Sequence, residues 1–89
     1  MKAVITVIGQ DKIGIIHQVT SVLTEYDVNI LDINQTIMQD VFTMMMVVDL
    51  SACGEPFDKL RAALRTYGEG RGLSIRIQRE DIFDAMHKL

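Results

Sequence analysis

At 89 residues and 10.0 kDa the chain has room for one domain with a small core, of a size that a partner surface often stabilises further. A hydrophobic content of 48% excludes disorder, and a net charge of -3 without a run of basic residues argues against a nucleic-acid surface. The single cysteine, Cys53, excludes an intrachain disulfide or a cysteine metal cluster. The apolar start, residues 1–7, is too short for a membrane span and has no signal-peptide cleavage pattern, which points to a cytoplasmic protein.

In chain order, residues 2–8 are rich in Val, Ile and Thr and predict a strand, followed by a loop over 9–13. From Gly14 the apolar residues Ile15, Ile16, Val19, Val22, Leu23 and Tyr26 fall on one helical stripe, and Asp27 closes that helix. A second strand over 28–38 and a third over 41–50 flank Gln39-Asp40, a hairpin signal. Pro56 suits the first turn of a second helix, in which Phe57, Leu60, Leu64 and Tyr67 are spaced for burial and which Gly68, Gly70 and Gly72 interrupt. Residues 73–79 alternate apolar and polar, a fourth strand. Residues 80–89 predict a short C-terminal helix with Ile82, Phe83, Met86 and Leu89 on one side, placed to shield apolar surface on the body or on a neighbour.

The order βαββαβ, with right-handed crossovers, predicts an α+β ferredoxin-like sandwich. In it a four-stranded antiparallel sheet, order 4-1-3-2, carries two helices on one face, with core 2–79 and terminal helix 80–89 in a single domain, 1–89. Such a sheet should alternate apolar and polar residues, yet strand three places Phe42, Met44, Met46, Val48 and Leu50 on one face and Val41, Met45 and Val47 on the other. Strand one is likewise apolar on both faces, with Val4 and Ile8 opposite Ile5 and Val7. The second face therefore needs a cover, either the terminal helix or a second subunit, so a homodimer is expected.

The run from Ile8 to Ile16 carries the chemistry. A polar turn with a glycine at a helix start presents backbone N–H groups to a small anion. A free amino acid offers a carboxylate to the N–H groups of Gly14, Ile15 and Ile16, and an ammonium to Asp11 or to the side-chain oxygen of Asn29. The plainer alternative is that Asp11 only caps the helix, Gly14 only makes the turn, and Asn29 only takes a left-handed conformation before its strand.

The strand 3–8, the turn Asp11-Lys12-Ile13-Gly14-Ile15, the pair Asn29-Ile30 and the βαββαβ order together resemble the ACT domain family of small ligand-sensing modules, over about residues 2–79. The chain is similar to stand-alone single ACT domain proteins, and to the ACT domains of glycine-cleavage repressors and formyltetrahydrofolate deformylases, which share an Asp-Lys/Arg-x-Gly-Ile turn. The resemblance implies that an amino acid binds between two domains, where the loop after strand one meets the start of strand two of the neighbouring subunit. By position it assigns ligand contacts to Asp11, Gly14, Ile15 and Asn29, and places Lys12, Ile13, Ile16 and Ile30 in the same two segments. Many amino-acid-binding members have Asn where Asp11 stands and Pro where Ile13 stands, and an acid in place of the amide alters which ligand charge is favoured.

Other chemistries find little support. His17 and His87 have no partner at metal-ligand spacing, and Met44-Met45-Met46 alternate faces as core packing requires. Cys53 lacks a base signature. Asp32 and Asn34 follow Asn29 and line the same groove or only polarise an edge. The acylphosphatase reading of this architecture needs an arginine in the loop after strand one, which is Gly9-Gln10-Asp11-Lys12-Ile13. The RNA-recognition reading needs aromatics on the central strands, which hold only Phe42. The sequence thus predicts a non-catalytic, cofactor-free homodimeric sensor of an amino acid or similar small metabolite, regulating a protein partner. The alternative is an adaptor that binds a protein through its open sheet face and takes no small ligand.

Overall fold

The computed structural model describes residues 1–10 and 14–81, and it has the expected order of elements. These are β1 (Lys2–Gly9), α1 (Ile15–Glu25), β2 (Asn29–Met38), β3 (Val41–Asp49), α2 (Phe57–Glu69) and β4 (Ser74–Arg79). The predicted terminal helix lies outside the described residues from position 82 onward. The sheet order is β2-β3-β1-β4 with every neighbour antiparallel, so β1 and β3 are central as expected. No helix among the described residues is long and apolar enough to cross a membrane.

Alternation builds the core. Ala3, Ile5 and Val7 of β1, Phe42, Met44, Met46 and Val48 of β3, and Ile75 and Ile77 of β4 are buried on the face that carries the helices. Against them α1 buries Ile15, Val19 and Leu23, and α2 buries Leu60, Leu64 and Gly68, both at four-residue spacing. The consecutive methionines divide as alternation demands: Met44 and Met46 are fully buried, while Met45 is 37% exposed on the other face. On that other face Val4 is buried between its cross-strand partners Val47 and Gln78, but Ile8, Val41 and Met38 are exposed.

Both helices end in a left-handed residue. After α1, Asp27 takes φ 57 and the Val28 N–H reaches back to the Leu23 carbonyl at 3.0 Å. After α2, Gly72 takes φ 68 and the Leu73 N–H reaches the Gly68 carbonyl at 2.9 Å. The six-to-one bond in each case satisfies a carbonyl that the helix leaves over. One alternative falls and one expectation changes here. The left-handed residue before β2 is Asp27, so the left-handed alternative for Asn29 falls and Asn29 lies within the strand as the expected bounds 28–38 have it. Gly68 does not interrupt α2, which runs on to Glu69. Gly68 is small because the helix closes on β4 there: a Cβ would stand 2.6 Å from the Leu73 carbonyl oxygen and 3.2 Å from Ile75.

Gly68→Ala should therefore lower stability by about 1–3 kcal/mol, steric strain outweighing alanine's better helix propensity. Gly54→Ala, with no atom within 4 Å of its added methyl, should change it little. Urea unfolding of the two variants beside the wild type makes the comparison.

Candidate functional site

The segments picked out by sequence form two half-sites. The first is the start of α1. Gly14 is its N-cap at φ 75, accepting from the Gln18 N–H at 2.9 Å, and among the described residues no side chain caps the helix. The first turn contains no acidic residue to occupy the positive end of the helix. A Cβ on Gly14 would meet only Gln18 Nε2, at 3.5 Å, so the constraint at this position is its backbone angle rather than space. Ile15 sends its side chain into the core and offers the site only its backbone, whereas Ile16 is half-buried. Asp11, Lys12 and Ile13 lie outside the described residues.

The second half-site is the start of β2. Asn29 is exposed and pairs with Asp49, which in turn pairs with Lys2. Ile30 is half-buried opposite Val48 and packs on the core. A bulge leaves Leu31 without a partner, since the ladder resumes at Asp32 opposite Val47. The bulge has a consequence for the site. Asn29, Asp32 and Asn34 would alternate out of phase in a regular strand, but the extra residue brings all three onto the face opposite the helices. Asp49 belongs to this half-site too, on the same face as Asn29 and bonded to Ser51 Oγ at 2.6 Å and to the Ser51 N–H at 3.0 Å. Those two hydrogen bonds hold the Asp49 carboxyl below the ordinary carboxylate value against the opposing effect of desolvation, with weaker help from the N-terminal ammonium 3.8 Å away and Lys2. Sequence reading missed Asp49, since only the β2–β3 register places it beside Asn29.

The two half-sites do not meet within one protomer. β2 runs parallel to β1, with Asn29 level with Lys2 and Ile37 level with Gly9 through their β3 partners Asp49 and Phe42. Asn29 and the end of β1 are thus seven strand positions apart, about 23 Å at the usual rise. Among the described residues no three His, Cys, Asp or Glu side chains are grouped to hold a metal ion. The arrangement offers hydrogen-bond donors at one end and carboxylate and amide acceptors at the other.

A sequence model of the ACT domain matches residues 2–78. The chain belongs to the ACT domain family. ACT domains are regulatory modules that bind small molecules. A UPF0237 protein of Clostridium acetobutylicum is 54% identical to this ACT domain over 89 residues, the whole of both chains. The solved ACT domain protein from Streptococcus pneumoniae is 42% identical, covers 98% of each chain and superposes with a TM-score of 0.83. A structure described as that of a glycine cleavage system transcriptional repressor is 25% identical with a TM-score of 0.72, over 86% of this chain and 44% of that one. The strand order, the two helices and the resemblance that the turn and Asn29-Ile30 carried are therefore correct.

Two outcomes test the half-sites. Gly14→Ala should cost about 1–2 kcal/mol through the left-handed backbone alone, with Gly14→Asn costing less, as read by thermal unfolding. Because its folded-state pKa is depressed, Asp49 stabilises the fold above the unfolded carboxylate pKa, and that contribution is lost as pH falls through the lower folded value. Ser51→Ala should move the Asp49 NMR titration up toward the ordinary carboxylate value, and an unmoved titration would remove Ser51 as the cause.

Proposed function

We propose that this ACT domain is a non-catalytic sensor that binds an amino acid or a similar small metabolite between two copies of the chain. The observation that carries the reading is the separation of the half-sites: donors and acceptors suited to one small zwitterion lie at opposite ends of the same sheet. A second copy brings them together by pairing along the edge. β2 is an edge strand on which every residue except Ile30 is exposed, and its outer backbone groups are unpaired among the described residues. Pairing it antiparallel with its own copy about a two-fold axis near Ile33 and Asn34 sets Asn29 beside the partner's Met38 end. That end is level with the partner's Gly9 and the start of its α1.

In the shared site the helix-start N–H groups beside Gly14 receive the carboxylate, favoured by the helix dipole and by a first turn without an acidic residue. Asn29 and Asp49 from the other copy accept from the ammonium. Asp11 is proposed for the same group and Lys12, Ile13, Ile16 and Ile30 as walls. Ile15 contributes its N–H alone. Binding across the interface couples ligand occupancy to subunit packing, which is how a domain without catalysis regulates a partner.

The adaptor reading, without a small ligand, is favoured by one observation. The open face exposes Ile8 by 43%, Met45 by 37% and Met38 by 69%, an apolar surface on which a partner protein can rest. Isothermal calorimetry against the free amino acids separates the two. The sensor reading expects saturable binding of at least one, weakened in Asn29→Ala by about 1–2 kcal/mol for the lost hydrogen bond. It also expects light scattering at micromolar concentration to report about twice the 10.0 kDa chain mass. Absence of binding to any amino acid, or binding indifferent to Asn29→Ala, would favour the adaptor or move the site.

A further inference from the structure

The fold sorts charge between the two edges of the sheet. Residues 25–50, which hold β2 and β3, carry Glu25, Asp27, Asp32, Asp40 and Asp49 and no Lys or Arg. Residues 55–81, which hold α2 and β4, carry Lys59, Arg61, Arg65, Arg71, Arg76 and Arg79 against Glu55, Asp58, Glu69, Glu80 and Asp81, with Lys59 paired to Glu55 and Arg79 to Asp81. A chain of net charge -3 therefore concentrates cations at this edge, where Arg61, Arg65 and Arg76 face one acid, Glu69, in the lining of a groove.

Along that edge α2 and β4 enclose an open groove of about 690 Å³, lined by Arg61, Arg65, Glu69, Ser74, Arg76 and Gln78 among others. Arg61 and Arg65 approach from the helix side. Arg76 stands on the opposite face of the sheet, since it pairs with Thr6 while its neighbours Ile75 and Ile77 are buried under the helices. The local ion pairs, Arg61 with Asp58 at 3.1 Å and Arg65 with Glu69 at 3.3 Å, are solvent-exposed and within one helix, so they hold their arginines weakly. β4 is the outer strand of the sheet, and among the described residues β1 is the strand it pairs with.

We propose that the β4 edge and the α2 flank beside it are a docking surface for an extended acidic segment of a protein partner. A strand added along β4 sends alternate side chains to the two faces of the sheet, one set toward Arg61 and Arg65 and the other toward Arg76. A run of carboxylates finds cations on both sides, while its main chain lies along the outer side of β4. The β2 edge of another copy carries only Asp32 as a counter-charge, and a β2-to-β4 contact would be heterologous, giving rings or open chains. The occupant is therefore a foreign segment. This surface is at the opposite edge from β2, so it stands whether or not the ligand site does.

The test uses the full chain and one probe, the acetylated and amidated heptapeptide Ser-Val-Glu-Glu-Glu-Val-Ser. Titration followed by amide NMR should shift the signals of residues 74–78 and slow exchange of the outward amides, with affinity rising as salt is lowered. Replacing the three glutamates by glutamine, or the two valines by proline, should abolish binding. Arg61→Ser with Arg65→Ser should weaken it at least tenfold, and Arg76→Ser should weaken it separately, while the rest of each spectrum reports an intact fold. The proposal is overturned if the peptide does not bind, if shifts fall elsewhere, or if the arginine variants bind equally well. It is equally overturned if the proline peptide binds as well, if a single-stranded oligonucleotide binds more tightly at the same residues, or if the chain alone polymerises at low salt.

Discussion

The pairing of β1 with β3 at the centre of the sheet is the constraint on which the other features depend. Eight consecutive partners, from Lys2 opposite Asp49 to Gly9 opposite Phe42, fix that register, and a one-residue slip would turn Met44 and Met46 out of the core. With β1 and β3 set, β2 can pair only on the far side of β3, parallel to β1. The start of α1 and the start of β2 are then driven to opposite ends of the molecule. The proposed ligand site, which needs both, therefore takes its two halves from two copies of the chain. The left-handed Gly14 and the bulge at Leu31 are local devices serving that geometry: one opens the helix start, the other aligns Asn29, Asp32 and Asn34 on one face.

The two edges divide the remaining work. β2 is almost wholly exposed and carries no Lys or Arg, with Asp32 its one acidic residue, while β4 carries Arg76 and Arg79 and is backed by α2. Like charge on a strand edge discourages indiscriminate pairing, and opposite charge on the two edges selects which partner each accepts. For the proposed pairing of β2 with its own copy, the apolar Ile33, Ile37 and Met38 that β2 exposes are the surface to be covered. An edge that receives a foreign acidic strand needs cations on both of its faces, and β4 has them.

Much of the fold was legible because its signals are periodic. Alternation in strand four, the Val-, Ile- and Met-rich runs of strands one and three, and four-residue spacing at Ile15, Val19 and Leu23 or at Leu60 and Leu64, are local patterns that burial writes directly into sequence. The βαββαβ order then leaves few topologies. Features that depend on pairing were hidden. Gly68 reads as a helix breaker until β4 is seen to pack against it, and the left-handed turn falls on Asp27 rather than Asn29 because the Leu23 carbonyl needs the Val28 N–H. The grouping of Asp49 with Asn29 depends on register across a hairpin, and the phase of Asp32 on an unpaired Leu31. The basic edge was invisible because its members come from one helix and one strand.

The claim that the ligand site is built from two copies is tested most directly by complementation between two defective chains. Gly14→Val disables the helix-start half and Asn29→Ala weakens the strand-start half, so each homodimer is impaired in both of its sites. After the two variants are mixed and allowed to exchange subunits, a heterodimer contains one site with both halves wild-type. Calorimetry with the amino acid that the wild type binds should find wild-type affinity restored to a fraction of the sites in the mixture and absent from either variant alone. A mixture that binds no better than its components would contradict the shared site.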